Sequence, residues 1–398
     1  MHAGSLWTRA QAIKHELVAL RRDIHRHPEL AFQEQRTAKK GQAWLQGLGL
    51  DVQCGIADTP GLVATLETGR LGPTLLIRAD MDALPIKEES GADYASQTLG
   101  VMHACGHDAH VTCVLGAATL LTECREALWG RVKFLLQPAE EKPPGGAKVL
   151  IERGGVLEGV DAALALHVYP PLSVGQMGFR PGVLLGYSDR FTVRIHGVGG
   201  HAARPHQTVD AVAVAVQVYQ GLQYLVSREN DPLHPFVITI GALHAGTVAN
   251  VIPDEATLLG TVRSLDPEVN RSLPERLERV VAGVCQATRA RYTFEFVHGY
   301  PAMVNDEAFT QRAIDSVKAW LGEQSVAHIP TPQLGGEDFA FFSQRVPSLM
   351  FRLGVRNEAR GIVHPVHSSR FDLDEDALPL GAAALARIAM DYVQQGGS

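Results

Sequence analysis

The first half of the chain alternates apolar runs with stretches that have the composition of helices. Three runs are mostly apolar, as strands are when both faces of their sheet are covered: Thr74–Asp80, Val132–Glu140 and Ala162–Val168. Between the first two lies the alanine-rich stretch VTCVLGAATLLTE, which favours a helix. This alternation of strand and helix patterns predicts an α/β sheet.

The pattern changes near Leu185. The stretch FTVRIHGVGG alternates apolar with polar residues, which is typical of a strand with one face in water. Helix, strand, strand, helix and strand patterns follow, and this βαββαβ order indicates a ferredoxin-like unit. From Pro301 onward the α/β pattern returns. We therefore predict a mixed-sheet α/β domain split between residues 1–186 and 300–398, with a smaller α+β domain inserted at residues 187–299.

Composition and charge exclude several classes of partner. Of the 398 residues 45% are hydrophobic and 20% charged, which is an ordinary globular balance. The net charge of -7, without a run of Lys or Arg, argues against binding to nucleic acid. No apolar run reaches the length of a membrane span, and the N-terminus lacks a signal pattern. The five scattered cysteines do not form a disulfide framework. These features predict a cytoplasmic protein with no nucleic-acid or membrane partner.

Side chains that bind metals occur where predicted strands end or turns begin. In MHACGHDAH, Cys105 and His107 are close enough to reach one ion, and a thiolate with an imidazole suits zinc better than magnesium or calcium. Glu140 and Glu141 end the second apolar run, so one carboxylate can bind a metal while the other takes a proton from water. His167 lies near the end of the third run.

Two further pairs strengthen this pattern. Asp80 and Asp82 follow the apolar residues TLLI, while His364 and His367 precede the last predicted helix. Taken singly, such residues are ordinary surface acids, buried thiols or core histidines. Together they are expected at one rim, because open α/β sheets place their sites at the carboxyl ends of strands. Five of these candidates are strong ligands: Cys105, His107, Glu141, His167 and His367. Five are too many for one tetrahedral zinc with an open position, and they suit two ions.

Nine motifs, in order along nearly the whole chain, resemble the amidohydrolase branch of the M20 metallopeptidase family. They are HRHPELAFQE (residues 25–34), RADMDALPI, MHACGHDAH, QPAEE, LALHV, GVGGHAARPHQTVDAV, NVIPDEA, GGEDFAFF and HPVHSSRFDLDEDALPLGAA. This branch includes hippurate hydrolases, N-acyl-amino-acid amidohydrolases, related carboxypeptidases and plant hydrolases of auxin–amino-acid conjugates. The resemblance implies a dinuclear-metal hydrolase domain and an inserted satellite or lid domain.

The resemblance also implies a role for individual residues. Two divalent ions per subunit (zinc, manganese, cobalt or nickel) would be bound by Cys105, His107, Glu141, His167 and His367. Glu140 would be the general base and then the acid. Asp82 would lie behind the metal site and orient a ligand imidazole, and Asp80 is left outside the ligand set. In the insert, His201 would steady the developing oxyanion and Asn250 would contact the substrate carboxylate.

These assignments predict an enzyme that hydrolyses the amide bond of N-acyl or N-aroyl amino acids, as a hippurate-type aminoacylase does. The nearer alternatives are a carboxypeptidase or dipeptidase of the same fold and an N-acetyldiaminopimelate deacetylase. The alternative from another class is a non-catalytic metal-binding subunit, against which the intact Glu140 and ligand set argue. Family members commonly dimerise through the satellite domain, so a homodimer or homotetramer is expected. Pro143 and Pro144 depart from the Gly-rich run usual in relatives and leave the substrate preference open.

Overall fold

The computed structural model describes residues 3–395, which fold into two compact units. The first unit contains the residues up to Leu184, the segment Val304–Thr331 and the residues from Asp338 onward. The second unit contains Leu185–Met303 and Pro332–Glu337. No helix among residues 3–395 combines the length and the apolar character that a bilayer-spanning segment requires.

The secondary structure follows the alternation of the sequence. The helices are α1 (Ala3–Ala12), α2 (Lys14–Arg26), α3 (Gln35–Gly47), α4 (His107–Glu123), α5 (Gly146–Gly154), α6 (Ala211–Tyr224), α7 (Pro267–Thr288), α8 (Glu307–Leu321), α9 (Ala340–Ser343) and α10 (Ala377–Gln395). The strands are β1 (Asp51–Cys54), β2 (Leu62–Glu67), β3 (Thr74–Asp80), β4 (Arg131–Gln137), β5 (Ala162–Ser173), β6 (Met177–Phe179), β7 (Gly182–Leu185), β8 (Tyr187–His196), β9 (Gly200–His201), β10 (Phe236–Ala245), β11 (Val251–Ile252), β12 (Glu255–Ser264), β13 (Arg291–Tyr300), β14 (Met303–Asn305), β15 (Val326–His328) and β16 (Ser348–Arg356).

The first unit is built on a mixed sheet with the strand order β1-β2-β4-β3-β5-β16-β6-β15. Its centre, β4-β3-β5-β16, is parallel, while β1, β2 and β4 pair antiparallel. Every residue of β3 is buried, as expected for a parallel strand covered on both faces. Helices α4 and α10 pack against each other and against β3. The predicted mixed α/β fold class is confirmed.

The second predicted strand ends earlier than its apolar pattern suggested. The run Val132–Glu140 is strand only as far as Gln137. Pro138 follows, and Ala139 adopts a left-handed backbone conformation with φ +56°, which cannot continue an extended chain. As a result Glu140 and Glu141 lie in a turn beyond the strand, with Glu140 buried.

The second unit is an antiparallel sheet with the order β10-β12-β8-β13, and α6 and α7 pack against it. In β8 the apolar residues Phe191, Val193 and Ile195 are buried, whereas the polar residues between them are exposed or half-buried. The alternation read from the sequence therefore corresponds to a sheet with one covered face. This order of strands and helices is ferredoxin-like. That residues 187–299 act as a lid stays a prediction.

Candidate metal centre

The turn that leads into α4 places Cys105 and His107 side by side. Gly106 between them has φ +80°, a conformation that residues with a Cβ rarely adopt. A Cβ on Gly106 would also lie only 2.5 Å from Cγ2 of Val168. Glycine therefore permits both the tight turn and its close approach to β5, which carries His167.

Ligand atoms from four separate segments converge beside this turn. Three groups each have their atoms within 4.8 Å of one another: Cys105, His107 and His167; Cys105, Glu141 and His367; and His107, Glu140 and Glu141. Cys105 belongs to the first and second groups, so it can serve two ions. The structure thus brings together all five predicted ligands and the predicted base.

Local hydrogen bonds fix the direction of the ligand imidazoles. Nδ1 of His167 donates to the carbonyl oxygen of Val168 at 2.7 Å, which leaves Nε2 without a proton and 3.5 Å from Sγ of Cys105. His367 has φ +64°, and its backbone N–H donates to the Ala104 carbonyl at 2.8 Å. A ligand histidine held through its other ring nitrogen, as His167 is, is typical of metal sites.

Asp82 connects the turn of the two glutamates with His107. Its two carboxylate oxygens accept hydrogen bonds from the backbone N–H groups of Glu140, at 3.0 Å, and of Glu141, at 2.9 Å. Its Oδ1 also lies 3.3 Å from Nδ1 of His107. Asp82 therefore lies beside the candidate ligands, and that it orients a ligand imidazole stays a prediction.

The unmatched groups of the site fit a cation. Both ring nitrogens of His107 and Oε1 of Glu141 are buried and have no hydrogen-bond partner among residues 3–395. Oε1 of Glu141 lies 3.0 Å from Nε2 of His367, but not at the angles of a hydrogen bond. Leaving such groups unpaired is costly. Metal ions bound through Nε2 of His107 and Oε1 of Glu141 would satisfy these two atoms.

The electrostatics of the site also favour positive charge. The nearby side chain of Cys105 first, and the Glu141 carboxylate 3.0 Å away second, raise the pKa of His367 to about 10. Burial alone lowers the pKa of His107, but Asp80 and Cys105 outweigh it, so the pKa lies well above its ordinary value. Thiol, carboxylate and imidazole donors together suit borderline divalent ions. The residues present therefore fit two such ions.

The carboxylate of Asp80 already accepts hydrogen bonds from two other side chains. Its Oδ1 lies 2.6 Å from Nδ1 of His110, and its Oδ2 accepts from Nη1 of Arg78 at 2.7 Å. The backbone N–H of Val168 donates to Nε2 of His110 at 3.0 Å, so Nδ1 carries the proton given to Asp80. Asp80 also lies 3.6 Å from Nε2 of His107 and forms with His107 and His110 another group of possible ligands, so its place outside the ligand set stays a prediction.

A buried ion-pair network beside His107 was not found by sequence reasoning. Nε of Arg21 donates to Oδ2 of Asp108 at 2.8 Å, and Nδ1 of His25 lies 2.7 Å from the same oxygen. Burial alone raises the pKa of Asp108, but Arg21 and His25 outweigh it and hold this pKa well below its usual range. Nε2 of His25 lies 3.2 Å from Glu88. The signals in the sequence were His25, within HRHPELAFQE, and Asp108, within MHACGHDAH.

The two residues predicted to bind substrate lie together in the second unit. Strands β9 and β11 pair antiparallel, with Val251 opposite His201, and the backbone N–H of Ala202 donates to the carbonyl of Asn250 at 3.2 Å. The backbone N–H of Ala203 donates to Nδ1 of His201 at 3.0 Å, so in the neutral ring Nε2 carries the proton. Both His201 and Asn250 are exposed.

Comparison with known proteins decides the family. The model of peptidase family M20/M25/M40 matches residues 76–391. The chain belongs to this family. An N-acyl-L-amino acid amidohydrolase from Geobacillus stearothermophilus is 42% identical to this M20 chain over 308 residues, which are 77% of this chain and 83% of that protein. Thermostable carboxypeptidase 2 from Saccharolobus solfataricus is 39% identical over 378 residues, covering 94% of this chain and 95% of the relative.

A solved structure agrees with this assignment. The solved structure is the YXEP protein from Bacillus subtilis, a dinuclear metal binding peptidase from the M20 family. The two structures superpose with a TM-score of 0.85 at 35% sequence identity, and the match covers 96% of this chain and 99% of the YXEP chain. The predicted M20 family and the enzyme class, a metal-dependent amide hydrolase, are thereby confirmed. The roles of single residues, the identity of the metal and the substrate stay predictions.

Proposed function

We propose that this M20 hydrolase cleaves the amide bond of N-acyl or N-aroyl amino acids, releasing a free amino acid and a carboxylate. The observation that carries the proposal is the convergence of the possible ligand atoms of Cys105, His107, Glu141, His167 and His367 in overlapping groups, one of which includes the buried Glu140. The similarity to an N-acyl-L-amino acid amidohydrolase supports the substrate class. Hippurate-type substrates are the first to be tested.

Glu140 carries the proton transfers in this proposal. Cys105, His107, Glu141, His167 and His367 would hold two divalent ions, which would supply an activated water and polarise the substrate carbonyl. Glu140 accepts a proton from the water as its oxygen forms a bond to the carbonyl carbon. When the carbon–nitrogen bond breaks, Glu140 returns that proton to the departing nitrogen. The backbone bond from Glu140 to Asp82 holds the residue in place during both steps.

His201 and Asn250 are proposed to bind the substrate. His201 has Nε2–H available as a donor because Nδ1 already accepts from Ala203. A donor of this kind can stabilise the negative charge that develops on the carbonyl oxygen. Asn250 is proposed to contact the carboxylate of the amino-acid half.

The oligomeric proposal rests on the surface of the second unit. Val212, Val216 and Tyr219 of α6 are 38%, 46% and 42% exposed, and their spacing puts them in one stripe. Strand β10 is an edge strand of its sheet and exposes Val237 and Leu243. An apolar stripe beside an open sheet edge is typical of an interface. We propose a homodimer or homotetramer.

The second candidate is a carboxypeptidase or dipeptidase, which the 39% identity to thermostable carboxypeptidase 2 favours. Chelated protein would be reloaded separately with zinc, manganese, cobalt and nickel. It would then be offered N-acetyl, N-benzoyl and longer N-acyl amino acids, N-acetyldiaminopimelate, and dipeptides, with the Glu140→Gln variant as control. Metal-dependent release from the acyl substrates supports the proposal. Release from dipeptides alone would favour the peptidase, and no release from metal-loaded protein would favour a binding subunit.

A further inference from the structure

A second buried carboxyl group lies beside the turn of the two glutamates. Glu34 is fully buried, and its Oε1 accepts a hydrogen bond from the backbone N–H of Ala139 at 2.8 Å. Its other oxygen, Oε2, has no hydrogen-bond partner in the part of the chain that the structure describes. The proposed proton transfers and the ligand set make no use of Glu34.

The location of Glu34 at the start of α3 does not explain its burial. Glu34 precedes the first residue of α3, yet its side chain does not cap the helix. Glu29 does so instead, because its carboxylate accepts from the backbone N–H groups of Arg36, at 2.8 Å, and Thr37, at 2.9 Å. The side chain of Glu34 is therefore available for Ala139, which is 105 residues away in sequence.

Ala139 needs such support because its backbone conformation is unfavourable. Its φ of +56° brings the Cβ of a non-glycine residue close to the carbonyl oxygen. Its N–H is held by Glu34, and its carbonyl accepts from the backbone N–H of Gly146 at 2.9 Å. The next two N–H groups, of Glu140 and Glu141, both donate to Asp82. Three consecutive backbone N–H groups thus donate hydrogen bonds to the carboxyl oxygens of two buried acids, Glu34 and Asp82.

We propose that Glu34 is a positioning residue for amide hydrolysis, which holds Ala139 in its left-handed conformation and thereby aims Glu140 and Glu141. The inference rests on the proposed function, in which Glu140 moves the proton and Glu141 binds an ion. If Ala139 relaxed to a negative φ, the chain direction just before both glutamates would change. A displacement of about 1 Å at reacting groups can cost about a hundredfold in rate.

The electrostatic surroundings fit a neutral acid in this role. Burial first, and the nearby Asp82 second, raise the pKa of Glu34 to about 8. At neutral pH Glu34 is therefore mostly protonated and adds no second negative charge beside Asp82. Glutamine has the same length and also offers a carbonyl oxygen to Ala139 N–H. Glutamine should consequently replace Glu34 in function.

The test compares Glu34→Ala, Glu34→Asp and Glu34→Gln with Glu29→Ala as the structural control, all loaded with metal and assayed on the best acyl substrate. We expect kcat to fall about 10- to 100-fold in Glu34→Ala and Glu34→Asp, with KM within about twofold. Glu34→Gln should stay within about threefold of the wild type in kcat. Glu29→Ala should lower the melting temperature but keep kcat within about twofold, because it loses only a cap.

A second readout does not depend on turnover. Crystal structures of Glu34→Ala and Glu34→Gln should show Ala139 at negative φ in the first and at positive φ in the second. Wild-type kcat in Glu34→Ala, or an unchanged Ala139 conformation in its structure, would overturn the inference. Loss of kcat in Glu34→Gln as large as in Glu34→Ala would overturn it as well. Failure of the wild type itself to hydrolyse any amide would instead count against the proposed function.

Discussion

Oδ1 of Asp82 lies 3.3 Å from Nδ1 of His107, while the same carboxylate accepts the backbone N–H groups of Glu140 and Glu141. One buried side chain thus holds a candidate ligand on α4 and the turn with the candidate base. Because Nδ1 faces Asp82, Nε2 of His107 is the atom available to an ion.

Asp82→Asn should weaken two sets of contacts at once, the one with His107 and the one with the backbone N–H groups of Glu140 and Glu141. The amide keeps one acceptor oxygen, but its NH2 group cannot accept the second backbone N–H. We expect metal affinity and kcat/KM to fall about 10- to 100-fold, measured by metal titration and steady-state kinetics. Asp376→Asn, which changes an exposed carboxylate paired with Lys14, is the control. Wild-type values in Asp82→Asn would contradict a positioning role.

Glu140→Gln should separate metal binding from catalysis. Glutamine can keep the backbone bond to Asp82 but cannot take a proton from water. We expect both ions to stay bound and kcat to fall about 10²- to 10⁴-fold, with metal content measured by elemental analysis. In the matched variant Glu141→Gln, metal should be lost together with activity. Nearly normal turnover in Glu140→Gln would mean that another residue is the base.

Cys105→Ala should have the largest effect on metal content, because Sγ belongs to two of the three ligand groups. We expect the loss of at least one ion per chain and of turnover, since each ligand position lost weakens binding strongly. Cys113→Ala is the matched control, since its thiol is also fully buried but lies outside these groups. Equal metal content in the two variants would exclude Cys105 as a ligand.

Arg21→Leu should destabilise the fold far more than Arg22→Leu. Arg21 is fully buried against Asp108, and removing it leaves a buried carboxylate with only His25 as its counter-charge. Such losses cost about 3–5 kcal/mol. Arg22 is partly exposed and pairs with Glu375, so its removal should cost about 1 kcal/mol or less. The shifts of the urea midpoint measure both, and equal shifts would contradict the importance of the buried pair.

Glu34 should make stability depend on pH. Burial first, and Asp82 second, raise its pKa to about 8 from an ordinary value of 4.5. Between these values the folded chain keeps a proton that the unfolded chain has lost. The stability that this proton contributes to the folded state is complete below the ordinary pKa of 4.5. This stability is lost as pH rises through the folded-state pKa of about 8, by up to about 1.4 kcal/mol per pH unit. Glu34→Gln should remove this loss, so the variant should gain stability relative to the wild type from about pH 5 to about pH 8. The measurement is the free energy of unfolding in urea for both proteins across this pH range. A difference between variant and wild type that does not change with pH would refute the raised pKa of Glu34.

The sequence determined the elements and the kind of chemistry. The segment Thr74–Asp80 contains the apolar run TLLI because both faces of β3 are covered, and this pattern is visible without knowing the neighbours. Cys105, His107 and Glu141 were recognisable because their side chains have few structural uses where strands end. Local patterns also found the helix that became α4, although it begins earlier, at His107.

Only the tertiary structure decided where the support of the site comes from. Glu34 and Ala139 are 105 residues apart, and Arg21 and Asp108 are 87 apart. No periodic pattern connects such pairs, because hydrophobic periodicity reports which face of an element is covered and not which residue covers it. The left-handed Ala139 was equally hidden, since alanine has no local preference for that conformation. It exists because surrounding hydrogen bonds hold it, and those bonds form only when distant segments are packed together.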